Sequence, residues 1–142
     1  MTKNVSVTLQ GIKCVAVGPD PGSALEIYGD LGAKRTTINE NGDFEAIENF
    51  PLWHLGPHDW VNIARDNTLT VNNTTPTFKI NEDEWLWVGG HLAEEDDWPS
   101  NNDNLGFLDK KLGHDQVDTG QQIITFSEEG QVAEARFMVR VI

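Results

Sequence analysis

Apolar and polar residues alternate along most of this chain, and this alternation limits the possible folds more than any other feature. Val5, Val7 and Leu9 are separated by single polar residues, and residues 132–142 continue the same pattern near the end. Successive side chains of a β-strand point to opposite faces, so a period of two predicts strands with one buried face. The first part of residues 132–142 also contains good helix formers, but the alternation there favours a strand.

Turn residues interrupt the alternation at short intervals. Gly-Pro-Asp-Pro-Gly occupies residues 18–22, Asn-Gly lies at 41–42, and Glu-Glu-Gly lies at 128–130. Such residues favour tight turns between strands. About eight strands joined in this way predict an all-β fold, an eight-stranded antiparallel β-sandwich in which residues 1–142 form a single domain. The predicted strand segments are 5–16, 25–31, 60–64, 69–71, 78–80, 84–92, 122–126 and 132–142, with hairpins at 36–46 and around 66–67 and a loop at 51–59.

The charge of the chain excludes several classes of partner. The chain has ten basic residues and 23 acidic residues, which gives a formal net charge of -13. Such a chain repels nucleic acid, and it repels anionic lipid unless bound cations reverse the local sign. The first residues lack the continuous apolar stretch of a signal peptide, and no segment has the apolar length of a membrane span. Cys14 is the only cysteine, so an internal disulfide is excluded, and its alternating neighbours predict that it is buried.

Residues 94–106 carry the strongest concentration of acidic charge. Their sequence EEDDWPSNNDNLG begins with four consecutive carboxylates, and no Lys or Arg lies between Ile80 and Asp109. Acidic side chains held in one loop repel one another unless a cation lies among them. Carboxylate and amide oxygens suit a hard ion such as calcium. The sequence therefore predicts a calcium-binding loop, although acidic proteins also carry such residues in ordinary solvated turns.

Two segments resemble the calcium-binding loops of the C2 domain, a calcium- and lipid-binding β-sandwich of about this length. The first loop of that family runs Asp, five residues, Asp, and residues 20–26, DPGSALE, are similar with Glu in the second place. The third loop runs Asp-x-Asp, five residues, Asp, two residues, Gly, and residues 95–106, EDDWPSNNDNLG, are similar with Glu in the first place. Residues 49–53, NFPLW, are a loosened form of the family's Asn-Pro-x-Trp motif.

The resemblance implies a C2-like sandwich that binds Ca²⁺ between two loops at one end. The calcium ligands that it implies are Asp20, Glu26, Glu95, Asp97 and Asp103. A shift of the register by one residue would bring in Asp96 or Asn102 instead.

Trp98 lies at the apex of the third loop, among the implied ligands. Exposed there, it would contact a partner as a membrane-interface anchor or as a stacking platform, although it can equally fold back onto the neighbouring loop. Trp85 and Trp87 have the same parity on one strand, so we expect them to face the core together.

These features predict a calcium-binding module that recognises a phospholipid membrane, a glycan or a protein in a calcium-dependent manner. A structural or adhesion subunit stabilised by calcium is the alternative. A hydrolase that uses paired carboxylates comes third, so an enzyme is the minority interpretation and no catalytic residue is assigned. The histidines do not form a zinc motif, because Gly56 and Pro57 between His54 and His58 exclude a helix.

Overall fold

The computed structural model describes residues 1–18, 22–95 and 103–142. These residues form ten β-strands and one short 3₁₀ turn at His114–Gln116. None of them forms a helix with the length and apolar character that crossing a membrane requires. The strands are β1 (Lys3–Val17), β2 (Ala24–Ile38), β3 (Phe44–Leu55), β4 (Val61–Ala64), β5 (Thr68–Thr74), β6 (Phe78–Ile80), β7 (Glu84–Glu94), β8 (Asp103–Gly113), β9 (Gly120–Glu128) and β10 (Gln131–Val141).

The strands form two antiparallel sheets of five strands each. Sheet A has the order β5-β1-β10-β9, with β6 also paired to β1, and sheet B has the order β3-β2-β7-β8, with β4 also paired to β2. The predicted all-β antiparallel sandwich is confirmed. The described residues contain ten strands rather than about eight, chiefly because residues 103–113 form a strand, β8, whose sequence alternates too weakly to be recognised.

The two sheets pack face to face over one hydrophobic core. Alternate residues supply it, as the sequence predicts, and Phe126 and Phe137 are the largest side chains that are fully buried. Removing this apolar surface from water is the main driving force for the sandwich. Cys14 is buried in the same core, and burial raises the pKa of its thiol.

Two segments differ from the prediction. Residues 51–55, predicted as part of a loop, continue β3 as far as Leu55. The strands β4 and β5, predicted as a hairpin, lie in different sheets, because β4 pairs with β2 and β5 pairs with β1. The turn at residues 65–67 therefore carries the chain from sheet B to sheet A.

Candidate functional site

The two acidic loops leave the sandwich at the same end. Within sheet B, β2 and β7 are neighbours, and the backbone N–H of Glu95 donates a hydrogen bond of 2.9 Å to the carbonyl of Glu26. The strand β8 begins beside them, since Asp103 pairs with Glu94. The chain segments on which the first and third loops are built are thus in direct backbone contact, although residues 26 and 95 are far apart in the sequence.

Two further turns adjoin this end. The backbone N–H of Arg65 bonds to the carbonyl of Ser23 at 2.9 Å, so the β4–β5 turn lies against the first loop. At the β9–β10 turn, a Cβ added to Gly130 would lie 3.4 Å from the Cα of Gly18. We call the described residues of these four turns the acidic end, namely residues 18, 22–26, 65–67, 94–95, 103 and 128–130.

The acidic end has a strongly unbalanced charge. Its only basic side chain among the described residues is that of Arg65. Carboxylates gathered in this way repel one another in the absence of a cation. Its acidic residues are Glu26, Asp66, Glu94, Glu95, Asp103, Glu128 and Glu129.

Three of the five predicted ligands, Glu26, Glu95 and Asp103, belong to the described residues, and they lie at this end. Glu26 alternates with the buried Leu25 and Ile27, which places it on the outer face of sheet B. Glu95 directly follows β7, and Asp103 is the first residue of β8. In the described part of the chain, no three His, Cys, Asp or Glu side chains are grouped closely enough to hold a metal ion.

The remaining predicted residues fall elsewhere. Asp20, Asp97 and Trp98 lie outside the described residues, as do the alternatives Asp96 and Asn102. The five-residue calcium site therefore stays a prediction, and its donor chemistry (carboxylate oxygens alone) is that of a calcium site.

Glu94 has a role that the sequence did not indicate. It belongs to the run of four carboxylates, yet its side chain is fully buried, and Gln131 donates a hydrogen bond of 2.7 Å to its Oε1. Since Glu94 lies in sheet B and Gln131 in sheet A, this bond joins the two sheets at the acidic end. The alternation along β7 was the available signal, because Glu94 has the same parity as the buried Leu92.

The tryptophans of β7 were wrongly expected in the core. The core residues of this strand are Leu86 and Val88, and the half-buried Trp85 and Trp87 lie on the outer face of sheet B. There the ring of Phe44 packs edge-on against them, with centroid distances of 5.4 and 5.0 Å. The indoles cover the outside of the sheet, and the smaller aliphatic side chains fill the space between the sheets.

Solved structures that partly resemble this chain include one C2 domain. A C2 domain of a plant extended synaptotagmin 1 matches with a TM-score of 0.49 at 7% identity, over 98% of this chain and 93% of that chain. Human GIVD cytosolic phospholipase A2 matches with a TM-score of 0.47 at 13% identity, over 99% of this chain but 17% of that chain. No family model and no curated protein matches the chain.

Proposed function

We propose that this protein is a calcium-binding module whose acidic end takes up Ca²⁺ and, once loaded, recognises a phospholipid membrane surface. The observation that carries the proposal is the contact between the two loop-bearing strands. The N–H of Glu95 bonds to the carbonyl of Glu26, so carboxylates from the first and third loops are held at one end of the fold. The predicted ligands are Asp20, Glu26, Glu95, Asp97 and Asp103.

Charge explains why calcium would act as the switch. The whole chain carries a formal charge of -13, which opposes contact with an anionic membrane. Divalent ions at the acidic end reduce the repulsion among its carboxylates and make the local surface less negative. Trp98, which lies between the predicted ligands Asp97 and Asp103 in the sequence, would then insert at the membrane interface, where an amphipathic indole is favourable.

A calcium titration followed by thermal melting tests the ion site. Binding to the folded state alone should raise the melting midpoint, and free calcium at about 100 times Kd adds about 2.7 kcal/mol to the free energy of unfolding. Asp103→Asn should reduce this rise, whereas Asp83→Asn, at the opposite end of the sandwich, should leave it intact. Sodium chloride at matched ionic strength controls for screening. A midpoint that calcium does not move would refute the proposal.

Co-sedimentation with phosphatidylserine-containing vesicles tests the membrane partner. We expect binding in calcium, loss of binding with chelator, and weaker binding for Trp98→Ala. A midpoint that calcium raises without any vesicle binding would instead favour the structural or adhesion subunit, in which the ion serves the fold. The buried bond between Glu94 and Gln131 at the same end is the observation that favours this second function, because an ion there would reinforce the junction of the sheets.

A further inference from the structure

The outer face of sheet B carries a row of side chains that crosses all four long strands. Asp30 pairs with His54 on one side and with His91 on the other, and His91 pairs with Phe107. Residues that are paired across a sheet point to the same face, so these four side chains stand in one line. His54 Nδ1 and Asp30 Oδ1 are hydrogen-bonded. We call this line of four side chains the histidine row.

A second row crosses the same strands four residues further along. Lys34 pairs with Asn49 and with Trp87, and Trp87 pairs with Lys111. The Nζ of Lys111 lies 4.6 Å from the centre of the Trp87 ring, which covers the indole with a cation. We call this second line of side chains the lysine row. Four residues of strand separate the two rows by about 13 Å.

Glycines form the floor between the rows. Gly32 and Gly89 pair with each other at the middle of this face, so the outer face has no side chain at its centre. The space between the rows is an open groove of about 360 Å³, within the range of small-molecule sites. The neighbouring backbone leaves no room for a Cβ at either position, since it would lie 2.4 Å from the carbonyl oxygen of Phe50 at Gly32 and 2.0 Å from that of Leu108 at Gly89.

Phe107 offers an exposed aromatic surface at one end of the groove. Its side chain is 72% exposed, although it lies within a strand. The imidazole of His91 stacks on it with a centroid distance of 4.0 Å and an interplanar angle of 9°. This stacking fixes the orientation of an aromatic ring that would otherwise have little support. A fixed, exposed ring suits the apolar face of a sugar.

Asp109 supplies an unusual polar group beside the floor. It pairs with Gly89 on β8, is half-buried, and makes no hydrogen bond or ion pair with any side chain in the described ranges. Burial raises the pKa of its carboxyl, and Lys34 and Lys111 oppose that rise. A partly desolvated carboxylate whose charged form is disfavoured weakens the fold, and such groups are common at binding sites.

The charges of the groove favour an uncharged ligand. Apart from His91, the charged residues that line the groove are Asp30, Asp109 and Lys34, so the groove has no net attraction for an anionic headgroup. The strands that form its floor, β2 and β7, are paired on both sides, so an extended peptide cannot add to the sheet within the groove. Carboxylates and an ammonium beside an exposed aromatic ring match a ligand that is rich in hydroxyl groups and has an apolar face.

We propose that this groove binds a neutral oligosaccharide. One sugar ring stacks on the exposed ring of Phe107, and other sugars of the same chain lie over the glycine floor, where their hydroxyl groups bond to Asp30, Asp109 and Lys34. Binding here does not depend on calcium, because Gly32 lies six strand residues, about 20 Å, from Glu26 at the acidic end. The proposal therefore stands apart from the calcium proposal.

Isothermal titration calorimetry with a panel of neutral gluco-, manno- and galacto-oligosaccharides tests the groove. We expect at least one to bind, in calcium and in chelator alike. Phe107→Ala should weaken binding by about tenfold through loss of the stacking surface. The matched control is Ile123→Ala, which removes an exposed apolar side chain from sheet A. Asp109→Asn should also weaken binding.

Three results would overturn the proposal. The first is a panel in which no neutral oligosaccharide binds the intact chain. The second is binding that persists at full strength in both Phe107→Ala and Asp109→Asn, which would place the sugar elsewhere. The third is binding restricted to charged ligands, such as sulfated oligosaccharides or anionic vesicles, which would mean that the balance of charges in the groove does not select its ligand.

Discussion

At the scale of single residues, Asp109 links stability to pH in the opposite direction from an ordinary paired carboxylate. Burial raises the pKa of its carboxyl in the folded protein above the usual value of an aspartate, so the folded protein holds this proton more tightly than the unfolded chain. The destabilising effect is therefore fully present above the folded-state pKa, and it is relieved as the pH falls through that pKa toward the value in the unfolded chain.

Asp109→Asn should raise the thermal midpoint at neutral pH, because the amide removes a partly desolvated charge. The gain should shrink as the pH is lowered through the folded pKa of Asp109, where the wild-type carboxyl becomes neutral as well. Differential scanning calorimetry across that range measures both effects. Asp83→Asn, at an exposed turn, is the control and should give no such gain. A midpoint that falls at neutral pH would show that Asp109 stabilises the fold.

Glu94 and Glu95 show what sequence can say about individual acidic residues. Both belong to one run of carboxylates, and charge alone does not separate them. The alternation along β7 does, because it turns Glu94 toward the core, where Gln131 meets it. The identity of that partner was beyond prediction, since the two residues are brought together only by the packing of one sheet on the other.

At the scale of elements, the alternation predicted those strands in which one face is buried along the whole length. β1 and β10 are of this kind, and the predicted turn at residues 128–130 connects β9 to β10. The end of β3 was missed because residues 51–59, which begin with Pro51, were predicted as a loop. Proline is tolerated there because β3 is the edge strand of sheet B, where one side of the backbone has no neighbour.

The strand β8 was missed for a different reason. It is the other edge strand of sheet B, and only Leu105 and Leu112 of its eleven residues are buried. A bulge lies opposite Leu92, where the register of β7 and β8 shifts, and this breaks the period of two. Because β8 is stabilised mainly by backbone hydrogen bonds to β7, its hydrophobic residues do not alternate in a recognisable pattern.

Gly89→Ala tests whether the glycine floor is fixed by the backbone. Gly89 has a φ of +147°, and an added Cβ would lie 2.0 Å from the carbonyl oxygen of Leu108. We expect a loss of about 3 kcal/mol or more in the free energy of unfolding, measured by urea denaturation. Gly120→Ala is the control, because a Cβ there meets no atom within 4 Å. Equal midpoints for the two variants would show that β7 can relax.

At the scale of the whole molecule, the candidate sites were predictable to different extents. The acidic loops carry local motifs, so their chemistry was visible in the sequence, whereas their meeting at one end depends on the pairing of β2 with β7. The groove has no local motif, because its two rows arise from the register of four strands. The adjacent glycines Gly89 and Gly90, within a strand, were the one signal of it.

The net charge of -13 makes stability depend on ionic strength. Like charges repel across the folded molecule, and salt shortens their range from about 30 Å at 0.01 M to about 10 Å at 0.1 M. We therefore expect the thermal midpoint to rise when sodium chloride is increased between these concentrations. Scanning calorimetry in calcium-free buffer measures this. A flat midpoint would mean that the paired charges of the fold already offset the repulsion.

The central position of the first and last strands has a mechanical consequence. β1 and β10 run antiparallel side by side in sheet A, and Val5 near one terminus pairs with Val141 near the other. A force applied to these two points pulls the strands apart sideways and loads their hydrogen bonds one after another rather than all together. The protein should therefore unfold at low stretching force. Each backbone hydrogen bond that breaks between β1 and β10 would expose more of the core between the sheets.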